Sequence, residues 1–234
     1  MSVSIGPGWS IGPGVLLGGA APPGNSYLFT GTGAGTSYLA MSPGIAVGTS
    51  NFTVEFWFRG TNTAQQLGLY GDGATGALQI YLDNGGAGPA TGFQVNYQGA
   101  GQISFTSPVS IVSNTWYYFA LVRQSNSENI FVNTSPSTPT TDSNNYSGAT
   151  TSFGNNYKGS WQGNIYNLRV SNIARYSPSA GSITVPTSPL TADANTLVLF
   201  NGSFLTGTAP GTPSQTITQG GSGTAVALSS SAPF

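Results

Sequence analysis

Residues 52–59 read FTVEFWFR, and this stretch decides the fold. Because successive side chains of a strand point to opposite faces, its residues divide into two sets. One set is wholly apolar: Phe52, Val54, Phe56 and Phe58. The other set is mixed: Thr53, Glu55, Trp57 and Arg59. The alternation predicts a β-strand over this stretch.

A second stretch, WYYFALVR at residues 116–123, is apolar on both faces. That pattern is typical of a central strand that is covered on both sides. Outward from these two, short apolar runs bounded by Gly, Asn, Ser and Pro recur along the chain, which predicts an antiparallel all-β sandwich with almost no helix. Eleven runs are candidate strands: 25–31, 37–41, 52–60, 66–71, 77–83, 92–97, 102–106, 115–124, 129–133, 163–171 and 196–201.

The chain is predicted to have three parts: an extended Gly/Pro-rich arm at 1–24, the sandwich at 25–203 and a low-complexity tail at 204–234. The arm contains the quasi-repeat IGPGWS-IGPGVL, which opposes a helix. Its apolar residues are interpreted as assembly contacts, a loose terminus being the alternative: Ile5, Trp9, Ile11, Val15 and Leu16. The tail has a weak strand signal, TAVALS, and is expected to stay loose or to dock on a neighbour. Two long connections, 135–152 and 176–195, are predicted to be too polar for the core.

Charge is scarce: 5% of the 234 residues are charged, the formal net charge is −1, and there is no His or Cys. Nucleic-acid binding needs clustered Lys and Arg, and the five cations are scattered. No secretory signal or membrane segment is predicted, because the first charged residue is Glu55 and no apolar run approaches about 20 residues. A surface with so little charge indicates a protein that is part of a larger assembly. Compositional drift is the alternative explanation of the low charge.

The residues predict no enzyme. Glu55 and Glu128 are interpreted as a strand-face acid paired with an arginine and a turn acid, and without His a Ser nucleophile has no base. The residues also predict no cofactor and no metal site. Calcium at Asp72 and Asp83 is the alternative to a solvated turn.

Aromatic residues in or beside turn-rich segments suggest a sugar-binding platform. Core or subunit-interface packing is the competing interpretation. The candidates are Tyr70, Tyr81, Tyr97, Tyr146, Tyr157 and Trp161.

Three runs together resemble the laminin-G-like members of the concanavalin A-like lectin/glucanase superfamily. They are SNFTVEFWFRG, NTWYYFALVRQ and GSWQGNIYNLRVSNIARY, the last followed by VPTSPLTADANTLVLF. The resemblance implies a two-sheet jelly-roll sandwich used for binding or structure, with catalysis confined to relatives that carry acidic motifs. The sequence departs from the family pattern in two places. The strand NIFVN runs into SPSTPTTD, where relatives commonly make a tight turn. Of the loop acids that bind calcium in some relatives, only Asp72 and Asp83 have a match here.

Domains of this type with Gly-rich ends look like ones in virion proteins of tailed phages. We therefore expect a capsid decoration or cement protein, made in the host cytoplasm, that lies on the outer surface of the virion and bridges neighbouring subunits. The expected partners are the major capsid protein or other virion subunits, and copies of the chain itself, with a trimer favoured at a capsid three-fold position. The alternative is a glycan-binding module for host attachment on a tail fibre or cell surface.

Overall fold

The computed structural model describes residues 25–71, 74–83, 91–97, 101–155, 158–202, 207–209, 214–223 and 225–234. The five predicted arm contacts, all within residues 1–24, lie outside these ranges. All regular structure in the described ranges is β-strand, in two antiparallel sheets, which confirms the predicted all-β sandwich. Among the same residues there is no helix of the length and apolarity that crossing a membrane requires.

The strands follow one another in short steps along the chain. They are β1 (Ser26–Phe29), β2 (Tyr38–Ile45), β3 (Phe52–Gly60), β4 (Leu67–Tyr70), β5 (Leu78–Asp83), β6 (Gly92–Tyr97), β7 (Gly101–Thr106), β8 (Tyr117–Gln124), β9 (Ser127–Val132), β10 (Ser135–Pro136), β11 (Thr140–Thr141), β12 (Thr150–Phe153), β13 (Gly163–Ser171), β14 (Thr196–Phe200), β15 (Gly207–Ala209), β16 (Gln215–Gly220) and β17 (Ala227–Ser229). Each of the eleven predicted runs overlaps one of them.

Two sheets share these strands. The nine-stranded sheet has the order β10-β9-β8-β3-β13-β1-β17, with β11 paired to β9 and β14 paired to β13. The eight-stranded sheet has the order β15-β16-β2-β12-β4-β5-β6-β7. Neighbours along the chain often lie in different sheets, so the two sheets are built together.

The main core lies between the sheets, and β3 shows how the sequence specifies it. Its four predicted apolar-face residues, at positions 52, 54, 56 and 58, are all buried in this core. Phe93 of the eight-stranded sheet meets Phe58 edge to face at 5.8 Å between ring centroids. Edge-to-face aromatic contacts of this kind add to the free energy of apolar burial. The predicted alternation in residues 52–59 is confirmed.

A second apolar layer covers the outer face of the nine-stranded sheet. Trp57 and Tyr118 pack there with Ile183 and Leu190, which come from the long connection after β13. Strand β8 is therefore covered on both sides, as its sequence predicted. The prediction that residues 176–195 are too polar for the core is wrong at these two positions, each 7% exposed, because isolated aliphatic residues in a polar segment suffice to anchor it.

The C-terminal part of the chain adds a strand to each sheet. In the eight-stranded sheet β16 pairs with β2, placing Ile217 opposite Met41, and in the nine-stranded sheet β17 pairs with β1, placing Leu228 opposite Tyr27. We predicted that residues 204–234 would stay loose or dock on a neighbour. The described residues of that segment instead complete the sandwich of their own chain.

Candidate functional site

The outer face of β5, β6 and β7 is polar although its inner face is fully apolar. Alternation turns Leu78, Ile80 and Leu82 of β5 into the core, so the residues between them point outward. The same parity holds on β6 and β7. The outward side chains, here called the polar face, are Gln79, Tyr81, Asp83, Gln94, Asn96, Gln102, Ser104 and Thr106.

Strand register arranges the polar face in rows that cross the sheet. Gln79 lies opposite Asn96, and Asn96 lies opposite Gln102, which gives a row of three amides. Adjacent strands are about 4.8 Å apart, so this row spans about 10 Å. The next row has Tyr81 opposite Gln94.

A chain of hydrogen bonds holds the second row in place. The Tyr81 hydroxyl donates to Gln94 Oε1 at 3.2 Å, and Gln94 Nε2 donates to Asp83 Oδ2 at 2.7 Å. The Gln66 amide donates to the other carboxylate oxygen of Asp83 at 2.7 Å. Both oxygens of the Asp83 carboxylate therefore accept amide hydrogen bonds, which fixes this end of the polar face.

Gln79 differs from its neighbours because its side-chain amide is buried with neither its nitrogen nor its oxygen hydrogen-bonded. Gly71 packs directly on it: a Cβ added at Gly71 would lie 2.6 Å from Gln79 Cγ, and the glycine has φ +118°. An amide desolvated without partners costs about 1–3 kcal/mol. The polar face thus holds a donor and an acceptor that nothing in the described chain satisfies.

Exposure on the polar face increases towards β7, the terminal strand of the sheet. Gln94 and Asn96 are each 7% exposed, whereas Gln102, Ser104 and Thr106 are exposed. Beyond the end of β7 lies a shallow cavity of about 500 Å³, lined by Thr91 and residues 106–111. Among the described residues, the polar face is therefore most accessible to solvent along β7.

The aromatic residues predicted to bind sugar do not form a surface platform. Tyr70, Tyr146 and Trp161 are fully buried in the main core, and Tyr97 packs partly buried against that core, with its ring edge to face with Tyr146. These rings pack in the core even though turn-forming residues flank them in the sequence. The flanking turn residues therefore did not indicate that the rings are exposed. Tyr81 alone among the described candidates belongs to the polar face, where it is 1% exposed. Tyr157 lies outside the described residues.

Of the two calcium candidates, only Asp83 lies within the described residues. Asp83 is occupied by the two glutamine amides, and Asp72 lies outside the described residues. In the described ranges no three His, Cys, Asp or Glu side chains group as metal ligands. Sequence analysis did not identify three amides of the polar face, Gln79, Gln94 and Asn96. They alternate with apolar residues in LQIYLD and GFQVNY, which places them together on one face of the sheet.

Glu55 is paired with an arginine, as predicted. Its Oε1 accepts from Arg169 Nε at 2.8 Å, and its Oε2 accepts hydrogen bonds from the hydroxyls of Tyr118 and Tyr176. Burial and the Glu55 charge raise the pKa of Tyr176 to about 12, so its hydroxyl stays a donor to the carboxylate. This network lies under the outer apolar layer and ties the connection after β13 to the sheet.

The prediction that Glu128 is a turn acid is wrong. It lies on β9 with its side chain on the inner side of the sheet, like Ile130 and Val132, and is fully buried. Glu55 lies on the outer side of the same sheet, so the two acids are on opposite faces and cannot act as a pair on one substrate.

The acid that approaches Glu128 is Asp142, also buried, from the connection predicted to be too polar for the core. Burial and then the Asp142 charge raise the pKa of Glu128 well above its usual value, and Arg123 partly opposes them. Arg123 Nη1 lies 3.1 Å from Asp142 Oδ2, and the guanidinium also donates to the Gly48 and Ser50 carbonyls. One arginine of β8 thus anchors two segments at the end of the sandwich, residues 48–50 and the connection that contains Asp142.

The chain belongs to the concanavalin A-like lectin/glucanases superfamily, through its laminin-G-like family, whose pattern matches residues 32–181. No curated protein matches the chain. Two examples illustrate the solved structures that share the fold. One is a heptameric SAP-like pentraxin from Limulus polyphemus, with TM-score 0.57, 14% identity, and 68% of this chain and 81% of that chain covered. The other is a provisionally assigned carbohydrate binding protein from Bacteroides ovatus ATCC 8483, with TM-score 0.60, 16% identity, and coverage of 90% and 62%.

Proposed function

We propose that this chain is a non-catalytic carbohydrate-binding module that holds a neutral glycan on the polar face. The observation that carries the proposal is the buried amide of Gln79, which lacks partners and stands in a row with Asn96 and Gln102. Each amide offers a donor and an acceptor, and sugar hydroxyls both donate and accept. A glycan entering over exposed β7 would reach Gln79 about 10 Å further in, two strand spacings away.

Charge favours a neutral ligand. The sequence has no Lys or Arg between Arg59 and Arg123, a span that contains all of β4 to β7. An acidic sugar would meet the Asp83 carboxylate without a cation from these strands. The carbohydrate-binding assignment of the Bacteroides ovatus protein, which shares the fold, supports the ligand class.

The positions of the acids within the described residues support binding without catalysis. Hydrolysis of a glycoside needs two carboxyl groups on either side of the scissile bond. Glu128 and Asp142 approach each other but are 0% and 1% exposed, and Glu55 is closed off by Arg169 and two tyrosines. Asp83 on the polar face has both oxygens engaged by amides.

The test is a screen of neutral glycans followed by calorimetry on the best ligand with wild type and Gln79→Met. Methionine keeps the length of the side chain and removes the unsatisfied amide, so stability should hold or rise while affinity falls at least about tenfold. Thr218→Val on β16, outward on the same sheet but away from the amide row, is the matched control and should bind normally. Unchanged affinity in Gln79→Met, or no neutral glycan bound by wild type, refutes the proposal.

A second candidate function is the capsid decoration protein. The observation that favours it is that many of the few charged side chains are buried or paired. Arg175 pairs with Asp193 at 2.8 Å, and four others are buried: Arg123, Glu55, Glu128 and Asp142. A surface with so little free charge suits subunits packed side by side. Quantitative mass spectrometry of particles from the source organism tests it. Copy numbers close to those of the shell protein support it, and absence from particles removes it.

A further inference from the structure

Among the described residues, strand β7 is an open edge of the eight-stranded sheet. In the described residues it pairs with β6 alone, whereas the other terminal strands of the two sheet orders, β10, β15 and β17, are two or three residues long. β7 has six residues, GQISFT, without a charge or a proline. Natural proteins usually block such edges with charged residues, prolines or bulges. An edge left open at this length is a surface on which another strand can pair.

The hydrogen-bonding groups on this edge can be assigned from the strand register. Ser107 N–H donates to the Thr91 carbonyl, towards β6, at 2.9 Å. Since backbone groups alternate in direction along an antiparallel strand, those of Gln102, Ser104 and Thr106 point away from β6. The Thr106 carbonyl already accepts from Ser137 Oγ at 2.9 Å. The N–H and C=O groups of Gln102 and Ser104 therefore form the open part of the edge.

We propose that β7 pairs antiparallel with β7 of a second copy of this chain, about a two-fold axis at Ile103. This register places Gln102 opposite the partner's Ser104 and Ser104 opposite the partner's Gln102, so four backbone hydrogen bonds use the groups left open. It also places Phe105 opposite the partner's Gly101, a pairing in which the ring covers the bare glycine.

Other registers fit less well. Residues that lie opposite each other on two strands have their side chains on the same face of the sheet. A two-fold axis that passes through a residue pairs apolar residues with apolar ones. An axis between two residues would pair apolar residues with polar ones. An axis at Ser104 would pair Gln102 with the partner's Thr106, whose carbonyl is already taken. A formal net charge of −1 on each copy gives little repulsion between them.

The resulting dimer joins two eight-stranded sheets edge to edge. The polar faces of both copies then lie on one continuous surface, so a polymeric glycan would meet two binding sites at once. Pairing of identical edges is two-fold, and it therefore differs from the trimer expected at a capsid three-fold position. The dimer requires no glycan and stands independently of the proposed function.

The experiment is sedimentation velocity on the full chain over a wide concentration series, without glycan. Wild type should show a concentration-dependent equilibrium between monomer and dimer. The double variant Gln102→Lys, Ser104→Lys sets lysines opposite lysines of the partner and should raise the dissociation constant at least about tenfold, which is about 1.4 kcal/mol. The control, Thr216→Lys with Thr218→Lys, lies on β16, flanked by β15 and β2, and should dimerise like wild type.

A second variant separates loss of pairing from added charge. Ser104→Pro removes one outward N–H while leaving the bonds to β6, and should also be monomeric with an unchanged circular dichroism spectrum. A wild-type chain that stays monomeric or forms a trimer overturns the proposal. Dimerisation of the lysine and proline variants at wild-type strength overturns it as well.

Discussion

Replacing Glu128 by glutamine should stabilise this protein at neutral pH. The carboxyl group lies on the inner side of β9, faces Asp142, and receives no hydrogen bond from a protein donor. Burial and the Asp142 charge raise the pKa of Glu128 in the folded chain well above its usual value of 4.5. The folded protein therefore holds a proton at Glu128 that the unfolded chain releases above that pH.

The sign and size of the effect follow from proton linkage. The stability contributed by a group with a raised folded pKa is fully present below the unfolded pKa and is lost as pH rises towards the folded pKa. Between the unfolded and the folded pKa, the free energy of unfolding falls by at most about 1.4 kcal/mol for each unit by which the pH rises. Glu128→Gln keeps a donor towards Asp142 and binds no proton, so its stability should not show this fall.

The assay is urea unfolding followed by tryptophan fluorescence, since Trp57 and Trp161 are buried. Stability is measured at several pH values from 5 to 8 for wild type and Glu128→Gln. The control is Asp193→Asn, because hydrogen bonding to Arg175 lowers the pKa of Asp193 and its carboxylate is ionised throughout this range. Parallel pH profiles for wild type and Glu128→Gln would show that Glu128 is ionised or solvated, and the reasoning would fail.

Two further substitutions test the packing around the sandwich ends. Arg123→Met should lower the free energy of unfolding by about 3–5 kcal/mol in the same urea assay, because it leaves the buried Asp142 carboxylate without its partner; a loss below about 1 kcal/mol would mean that the pair contributes little. Gly202→Ala should lower the melting temperature or prevent folding, because Gly202 has φ +73° and a Cβ there would lie 1.5 Å from the Asn25 carbonyl oxygen. Gly181→Ala, with nothing within 4 Å of the added Cβ, should melt like wild type.

Sequence predicted the fold well where alternation was strong. Residues 52–59 and 116–123 carry enough apolar side chains to set both the strand and its covered faces. Strand β16 was missed because QTITQG is polar and turns a single aliphatic residue, Ile217, into the core. Because this strand buries so little apolar surface, its position depends on hydrogen bonding to β2. The pattern of residues within a strand does not show which distant strand it pairs with.

The candidate site was less predictable. A polar residue that alternates with apolar ones, such as Gln79 or Gln94, looks the same in sequence whether it meets water or lies buried on a sheet face. The burial of Glu128 could have been predicted, because in SENIFV it lies two and four residues before Ile130 and Val132 and therefore on the same face of the strand. Its proximity to Asp142 depends on a connection between sheets, which local spacing does not reveal.

The pairing of β1 with β17 has a consequence for biosynthesis. Ser26 Oγ meets the Ser229 carbonyl across 203 residues of chain, and β1 lies between β13 and β17. At about 5–20 residues per second, the ribosome makes the last strand about 10–40 s after the first. Until then β1 has an open edge in a chain with few charges to oppose association. Contacts so distant in sequence also slow folding, so the synthesis of residues 227–229, and not local structure, should time the pairing of β17 with β1.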